Sequence, residues 1–172
     1  MGRREQGRLR HPMAGVESIN QPQFVITQVK AIATGELALT FADGFACMVD
    51  VSEVLASPPS LKQARMPHVF CKVSLDEWKR GVIFGGNDDL ALASDNLRAL
   101  AIEQAGDYSH QQVLAWMHRH DLTLDSAAAV LGVSRRMLAY YRSGEKPIPR
   151  SIGLAMLGWE AEQAGFRCPA VA

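Results

Sequence analysis

The stretch at residues 122–143, LTLDSAAAVLGVSRRMLAYYRS, constrains this chain most, because cap chemistry, small residues and apolar spacing converge around Gly132. Thr123 is a candidate N-cap, since its hydroxyl can accept from the backbone N–H groups that a helix's first turn leaves unpaired. An alanine-rich helix follows, and Ala128 puts a minimal side chain where two helices must approach closely. Gly132 supplies a sharp exit, because a backbone with φ above zero costs little without a Cβ. Ser134 is placed to cap a second helix. Leu131, Val133, Leu138 and Tyr141 are spaced to bury one seam, which leaves Arg135, Arg136, Ala139, Tyr140 and Ser143 on the outside.

This pattern is that of a helix-turn-helix, and over residues 109–165 it resembles the phage-repressor class, the lambda repressor and Cro type. In that family the second helix enters the major groove of DNA with its first residues at the base edges. The resemblance therefore implies base contacts from Arg135 and Arg136, with Ala139, Tyr140 and Ser143 one turn or more later on the same face. The continuation SGEKPIPRS is similar to the loop that follows the recognition helix in many such regulators, where serine, glycine and lysine lie near phosphates. Two departures stand out. Leu124 occupies a position where many members carry glutamine, and the acidic residue that many carry near the position of Arg142 is missing.

The charge distribution points the same way. The formal net charge is zero, but residues 134–150 hold five basic side chains, Arg135, Arg136, Arg142, Lys146 and Arg150, against Glu145 alone. Residues 19–106 hold seven basic and ten acidic side chains, so the positive potential is local and coincides with the motif, as phosphate contact requires.

Ahead of the motif, residues 1–18 carry Arg3, Arg4, Arg8 and Arg10 with little apolar content, which predicts a flexible basic extension. From Phe24 the texture turns β-branched and alternating. The segment FVITQVKAIA reads as a long strand and ELALTFADGFACMVDV as a hairpin turning at Asp43-Gly44, together a three-stranded antiparallel meander. One helical turn at residues 52–55 ends at Pro58-Pro59. Beyond it, residues 70–73 read as a strand or as the follower of a short helix. Residues 82–84 read as a strand and GGND as a tight turn into residues 90–92. A helix over 93–104 has Ser94 or Asp95 near its cap.

From Phe24 to Ile102 the chain resembles a family of small uncharacterised bacterial α+β domains with an FxDG pattern, then VD, then a glycine-turn strand pair and a final leucine. Here these are Phe41, Asp43, Gly44, Val49, Asp50, Gly85 to Asp88, and Leu97. That family supplies no activity to carry over. The predicted architecture is thus an extension at 1–18, a small α+β domain at 19–106 and an all-α, lambda-repressor-like domain at 107–172. Within the last, Asp107 or Ser109 caps a first helix with Val113, Leu114 and Met117 on one side. A closing helix carries Ile152, Ala155, Met156, Trp159 and Gln163 along one stripe, and Gly153 and Gly158 in it call for close packing.

Other chemistry is not expected. Gly85-Gly86 lacks the spacing of a phosphate loop. Asp88 and Asp89 are adjacent and diverge, and for Cys71 near His68 no third orienting group can be inferred from the sequence. The cysteines, Cys47, Cys71 and Cys168, are odd in number and far apart, and His118 and His120 point to different sides of a helix, so no disulfide framework, metal or cofactor is expected. No apolar run reaches the roughly 20 residues of a membrane span, so a cytoplasmic, non-enzymatic protein is the expectation.

Two functions from different classes remain open. One is a sequence-specific transcriptional regulator that inserts residues 134–143 into the major groove of double-stranded DNA as a homodimer, with Thr123, Ser134, Lys146 and Arg150 on phosphates. The other is a protein-interaction or antitoxin-like adaptor that uses the repressor fold as a scaffold. The first domain would serve dimerisation or bind a protein or small-molecule effector.

Overall fold

The computed structural model describes residues 21–167; the basic extension and Cys168 lie outside the described residues. The chain is α+β, with two three-stranded antiparallel sheets and a run of helices.

The first sheet has the order β1-β2-β3, with β1 at Ile26–Ala33, β2 at Glu36–Phe41 and β3 at Ala46–Asp50. Alternation along β2 buries Leu37, Leu39 and Phe41, and the register sets Val29 and Cys47 on either side of Leu39. One face of the sheet is therefore core. The hairpin turns at Asp43-Gly44 as expected, and the Phe45 N–H donates to Asp43 Oδ1 at 3.1 Å. The predicted first strand begins later than its sequence suggests. Pro22–Phe24 forms a 3-10 turn, which Pro22 favours by fixing its φ, and β1 starts at Ile26.

A short helix α1, Ser52–Ala56, stops before Pro58-Pro59, and a 3-10 segment at Pro59–Arg65 leads to α2, Pro67–Phe70. The strand β4, Val73–Leu75, pairs with β5, Gly81–Phe84, which pairs with β6, Asn87–Ala93. Of the two readings of residues 70–73, the helix followed by a strand holds. The expected GGND turn narrows to Gly85-Gly86, and β6 is longer than the predicted 90–92 because its pairing with β5 runs from Asn87 to Ala93. Ile26, Phe41, Phe70, Phe84, Leu90 and Leu97 bring both sheets and α3, Ser94–Gln104, into one core. Each such side chain contributes about 1.5–3 kcal/mol on burial. The cap of α3 differs from expectation. Ala93 takes the N-cap position with no side-chain bond, and the Ser94 hydroxyl is buried and donates to the Phe24 carbonyl at 2.6 Å. A buried hydroxyl needs a partner, and that carbonyl provides one.

The second core is helical: α4 at His110–Arg119, α5 at Leu124–Leu131, α6 at Arg135–Arg142 and α7 at Arg150–Gln163. Ser109 caps α4 in a reciprocal capping box with Gln112. The buried stripe of α4 is Val113, Trp116 and Met117, while Leu114, expected inside, is 43% exposed. Helical spacing admits either residue, and the partner helix decides: Trp159 of α7 meets Trp116 edge-on with centroids 5.5 Å apart. Along α7, Ile152, Ala155, Met156 and Trp159 pack on this core, whereas Gln163 lies beyond its edge and is exposed. Gly153 is required by packing, since a Cβ there would collide with the Tyr108 ring; Gly158 has open space around it. Glu160 binds both Arg119 Nη2, at 2.6 Å, and His120 Nε2, at 2.8 Å, tying the end of α4 to α7; those hydrogen bonds hold its carboxyl below the usual range.

Candidate nucleic-acid interface

Local chemistry shapes the α5–α6 pair. The Thr123 hydroxyl accepts from the Ser126 N–H at 3.1 Å, and the Ser134 hydroxyl accepts from the Met137 N–H at the same distance. Between them Gly132 adopts φ 65°, which lets the Val133 N–H close back on the Ala128 carbonyl at 3.0 Å. Ala127, Ala128, Leu131, Leu138 and Tyr141 are buried in the seam and Val133 is half-buried against it. The two helices are thus fixed relative to each other by caps and by side chains that share one core.

The outer face carries the charge. Arg135 and Arg136, the first two residues of α6, are both exposed. Arg135 Nε lies 3.0 Å from Asp125 Oδ1 in the first turn of α5. Arg136 Nε donates to the Tyr140 hydroxyl at 2.8 Å, and its guanidinium stands 5.5 Å from the centre of that ring. Lys146 Nζ approaches the same ring to 5.1 Å. Tyr140 therefore gathers one cation from its own helix and one from the loop that follows. Among the described residues neither Arg136 nor Lys146 has a carboxylate partner within ion-pair distance. Such an uncompensated pair attracts a polyanion.

The other residues expected at the interface divide into two groups. Thr123, Ser134, Lys146 and Arg150 are all exposed, with Arg150 opening α7. Ala139 is half-buried beside Tyr140. Ser143 is half-buried too, and its hydroxyl has internal partners, the Tyr140 carbonyl at 3.2 Å and Glu145 Oε1 at 2.9 Å. Its carbonyl accepts from Gln23 Nε2 at 3.1 Å, so the end of α6 is held by a residue of the sheet-bearing half.

That junction holds residues which periodicity does not single out. Phe24 lies against His110, with ring centres 5.0 Å apart. Gly144, at φ 71°, leaves only enough room for them: a Cβ would stand 3.0 Å from Phe24 Cζ and 3.5 Å from His110 Cγ. Arg98 of α3 makes a bidentate pair with Asp43, at 2.7 and 3.1 Å, and donates to the Gln23 carbonyl at 3.0 Å. Its guanidinium lies over the Phe45 ring, 4.4 Å from the centre. Burial depresses the His110 pKa below its usual 6.5, against the pull of Asp95 and Glu103.

The Cys71 thiol donates to the backbone carbonyl of His68 rather than to its ring. The Cys47 thiol is pushed up by burial. Among the described residues no group of three His, Cys, Asp or Glu side chains could hold a metal, and no helix is long and apolar enough to cross a membrane.

No protein-family model matches the sequence, and comparison with curated proteins finds no match. Among solved structures, the crystal structure of Putative DNA Binding Protein NE0471 from Nitrosomonas europaea ATCC 19718 matches with a TM-score of 0.74. The match covers 86% of this chain and 94% of that one, so it spans both cores rather than the helical half alone. At 40% identity over that span, the chain belongs to the same protein family as NE0471.

Proposed function

We propose that this protein binds double-stranded DNA in a sequence-specific manner, as a homodimeric transcriptional regulator with a helical half of the lambda repressor and Cro type. The observation that carries the reading is the exposed face of α6, where Arg135, Arg136 and Tyr140 stand together with Lys146 of the following loop. The name of its Nitrosomonas relative supports the DNA-binding part of it. In this mechanism α6 enters the major groove. Arg135 leaves Asp125 and Arg136 turns from Tyr140 to meet guanine O6 and N7, each good bidentate contact discriminating by about 1–3 kcal/mol. Thr123, Ser134, Lys146 and Arg150 take phosphates, which set register without reading sequence. One unit reads few base pairs, so a second copy on a palindrome, about one helical turn away, supplies the rest.

Salt dependence tests the reading. DNA affinity is expected to fall steeply as salt rises, and Lys146→Ala to weaken all sequences alike while lowering the salt slope by about one. The adaptor reading draws support from Leu114, Leu154 and Leu157, apolar side chains 43–52% exposed. It predicts weak DNA binding with no sequence preference.

A further inference from the structure

Between the sheet-bearing half and the helical half lies a cleft of about 380 Å³. Its walls come from the β2–β3 turn, α3, the entry to α4 and the loop after α6, so both cores contribute to it. The volume falls within the range of about 300–1,000 Å³ typical of small-molecule sites.

The polar groups of the cleft are unequally satisfied. Arg98 makes three hydrogen bonds, two to Asp43 and one to the Gln23 carbonyl, so its charge is offset within the cleft by Asp43. His110 is 6% exposed, lines the cleft, and has no hydrogen-bond partner among the described residues. Its ring offers one donor and one acceptor, and neither nitrogen is sealed from the cleft: among the described residues the buried polar side-chain atom without a partner is Trp116 Nε1. Asp107 and Glu145 also line the cleft, Glu145 with its Oε1 accepting from the Ser143 hydroxyl at 2.9 Å, and the remaining cation of the lining, Lys146, leans over Tyr140. With Asp43 and Arg98 cancelled, the residual charge is two negative against one positive. Phe45, Tyr108 and Ile148 supply an apolar and aromatic wall.

We propose that this cleft is a binding site for a small organic cation with a flat apolar body. The body lies on Phe45, Tyr108 and Ile148, the ammonium sits between Asp107 and Glu145, and His110 hydrogen-bonds to a polar atom of the ring. The Gly144–Lys146 stretch forms one wall, so occupancy bears directly on the end of α6. Any effect on DNA rests on the function proposed above, whereas binding itself does not.

Tryptamine and indole-3-propionate share one body and differ in the charge of the side chain, so they make the test. With the full chain, calorimetry is expected to show saturable one-to-one binding of tryptamine, and amide resonances of Tyr108, His110 and Gly144 to move in NMR spectra. Indole-3-propionate should bind at least about tenfold more weakly, the equivalent of about 1.4 kcal/mol. The Asp107→Asn, Glu145→Gln double variant changes exposed side chains, so it should fold normally and lose tryptamine affinity by about tenfold or more, as expected for losing bonds to a charged group. The proposal is overturned if tryptamine fails to saturate at millimolar concentration, if both probes bind equally, if the shifts lie elsewhere, or if the double variant binds unchanged. None of these readouts involves DNA, so a failure here leaves the DNA reading to its own test.

Discussion

Arg135 Nε and Asp125 Oδ1 are 3.0 Å apart, so the residue that leads α6 is held by a carboxylate from the first turn of α5. The two side chains are 67% and 74% exposed, and pairs in water of this kind contribute about 0.2–1 kcal/mol at most. Under the proposed function, a guanine contact is worth more, so DNA is expected to displace the carboxylate. Asp125→Asn should therefore change stability by less than about 0.5 kcal/mol in denaturant titrations. The same substitution should tighten DNA binding several-fold in fluorescence anisotropy, because it frees Arg135 and removes a charge that repels phosphate. Weaker binding would mean that Asp125 positions Arg135 for the base.

The reach of the sequence follows the distance over which each contact acts. Thr123, Gly132 and Ser134 are legible because a cap or a left-handed turn is decided within about four residues, and all three adopt the expected geometry. The meander is legible for the same reason, from alternation and one turn. The junction is not. Gln23 and Ser143 are 120 positions apart and Arg98 and Asp43 are 55 apart, and no local pattern marks either pair. Asp43 reads as a turn residue, which it is, and its second role on Arg98 adds no signal. Leu114 and Trp116 flank the Val113–Met117 stripe of α4 on opposite sides, and only the packing of α7 selects the tryptophan. Arg136 and Tyr140 are a helical turn apart and could have been paired from spacing, whereas Lys146 joins them through the path of the loop.

Gly144 and Gly158 should respond oppositely to alanine. At Gly144, φ is 71° and the added Cβ would press on Phe24, so Gly144→Ala is expected to cost about 1–2 kcal/mol from backbone strain alone. At Gly158, inside α7, nothing lies within 4 Å of the added carbon, so Gly158→Ala should stabilise by about 0.5–1 kcal/mol through helix propensity. Thermal and urea unfolding of the two variants measures both signs. A stabilised Gly144→Ala would mean that the junction is not packed as described.

His110 makes stability depend on pH in the acidic direction. Burial lowers the pKa of its ring in the folded chain, while the unfolded side chain binds a proton near its ordinary pKa of 6.5. The unfolded state therefore holds more protons below that value, and the His110 contribution, complete above about pH 6.5, is lost as pH falls through the depressed folded value. Urea midpoints measured from pH 8 to pH 5 should decline, and His110→Gln should flatten the decline whatever it does to stability at pH 8. An unchanged slope would assign the decline to other groups.

Selection of bound fragments from random double-stranded DNA tests the central claim most directly, run in parallel on the wild-type chain and on the Arg135→Ala, Arg136→Ala variant. Both arginines are exposed, so the variant is expected to fold and to serve as a matched control. The wild type should enrich a palindromic motif with half-sites about one helical turn apart. The double variant should lose that enrichment while keeping weak, salt-sensitive binding through Lys146 and Arg150. Folded wild-type protein that enriches no motif, or a double variant that enriches the same motif equally well, would contradict recognition by α6.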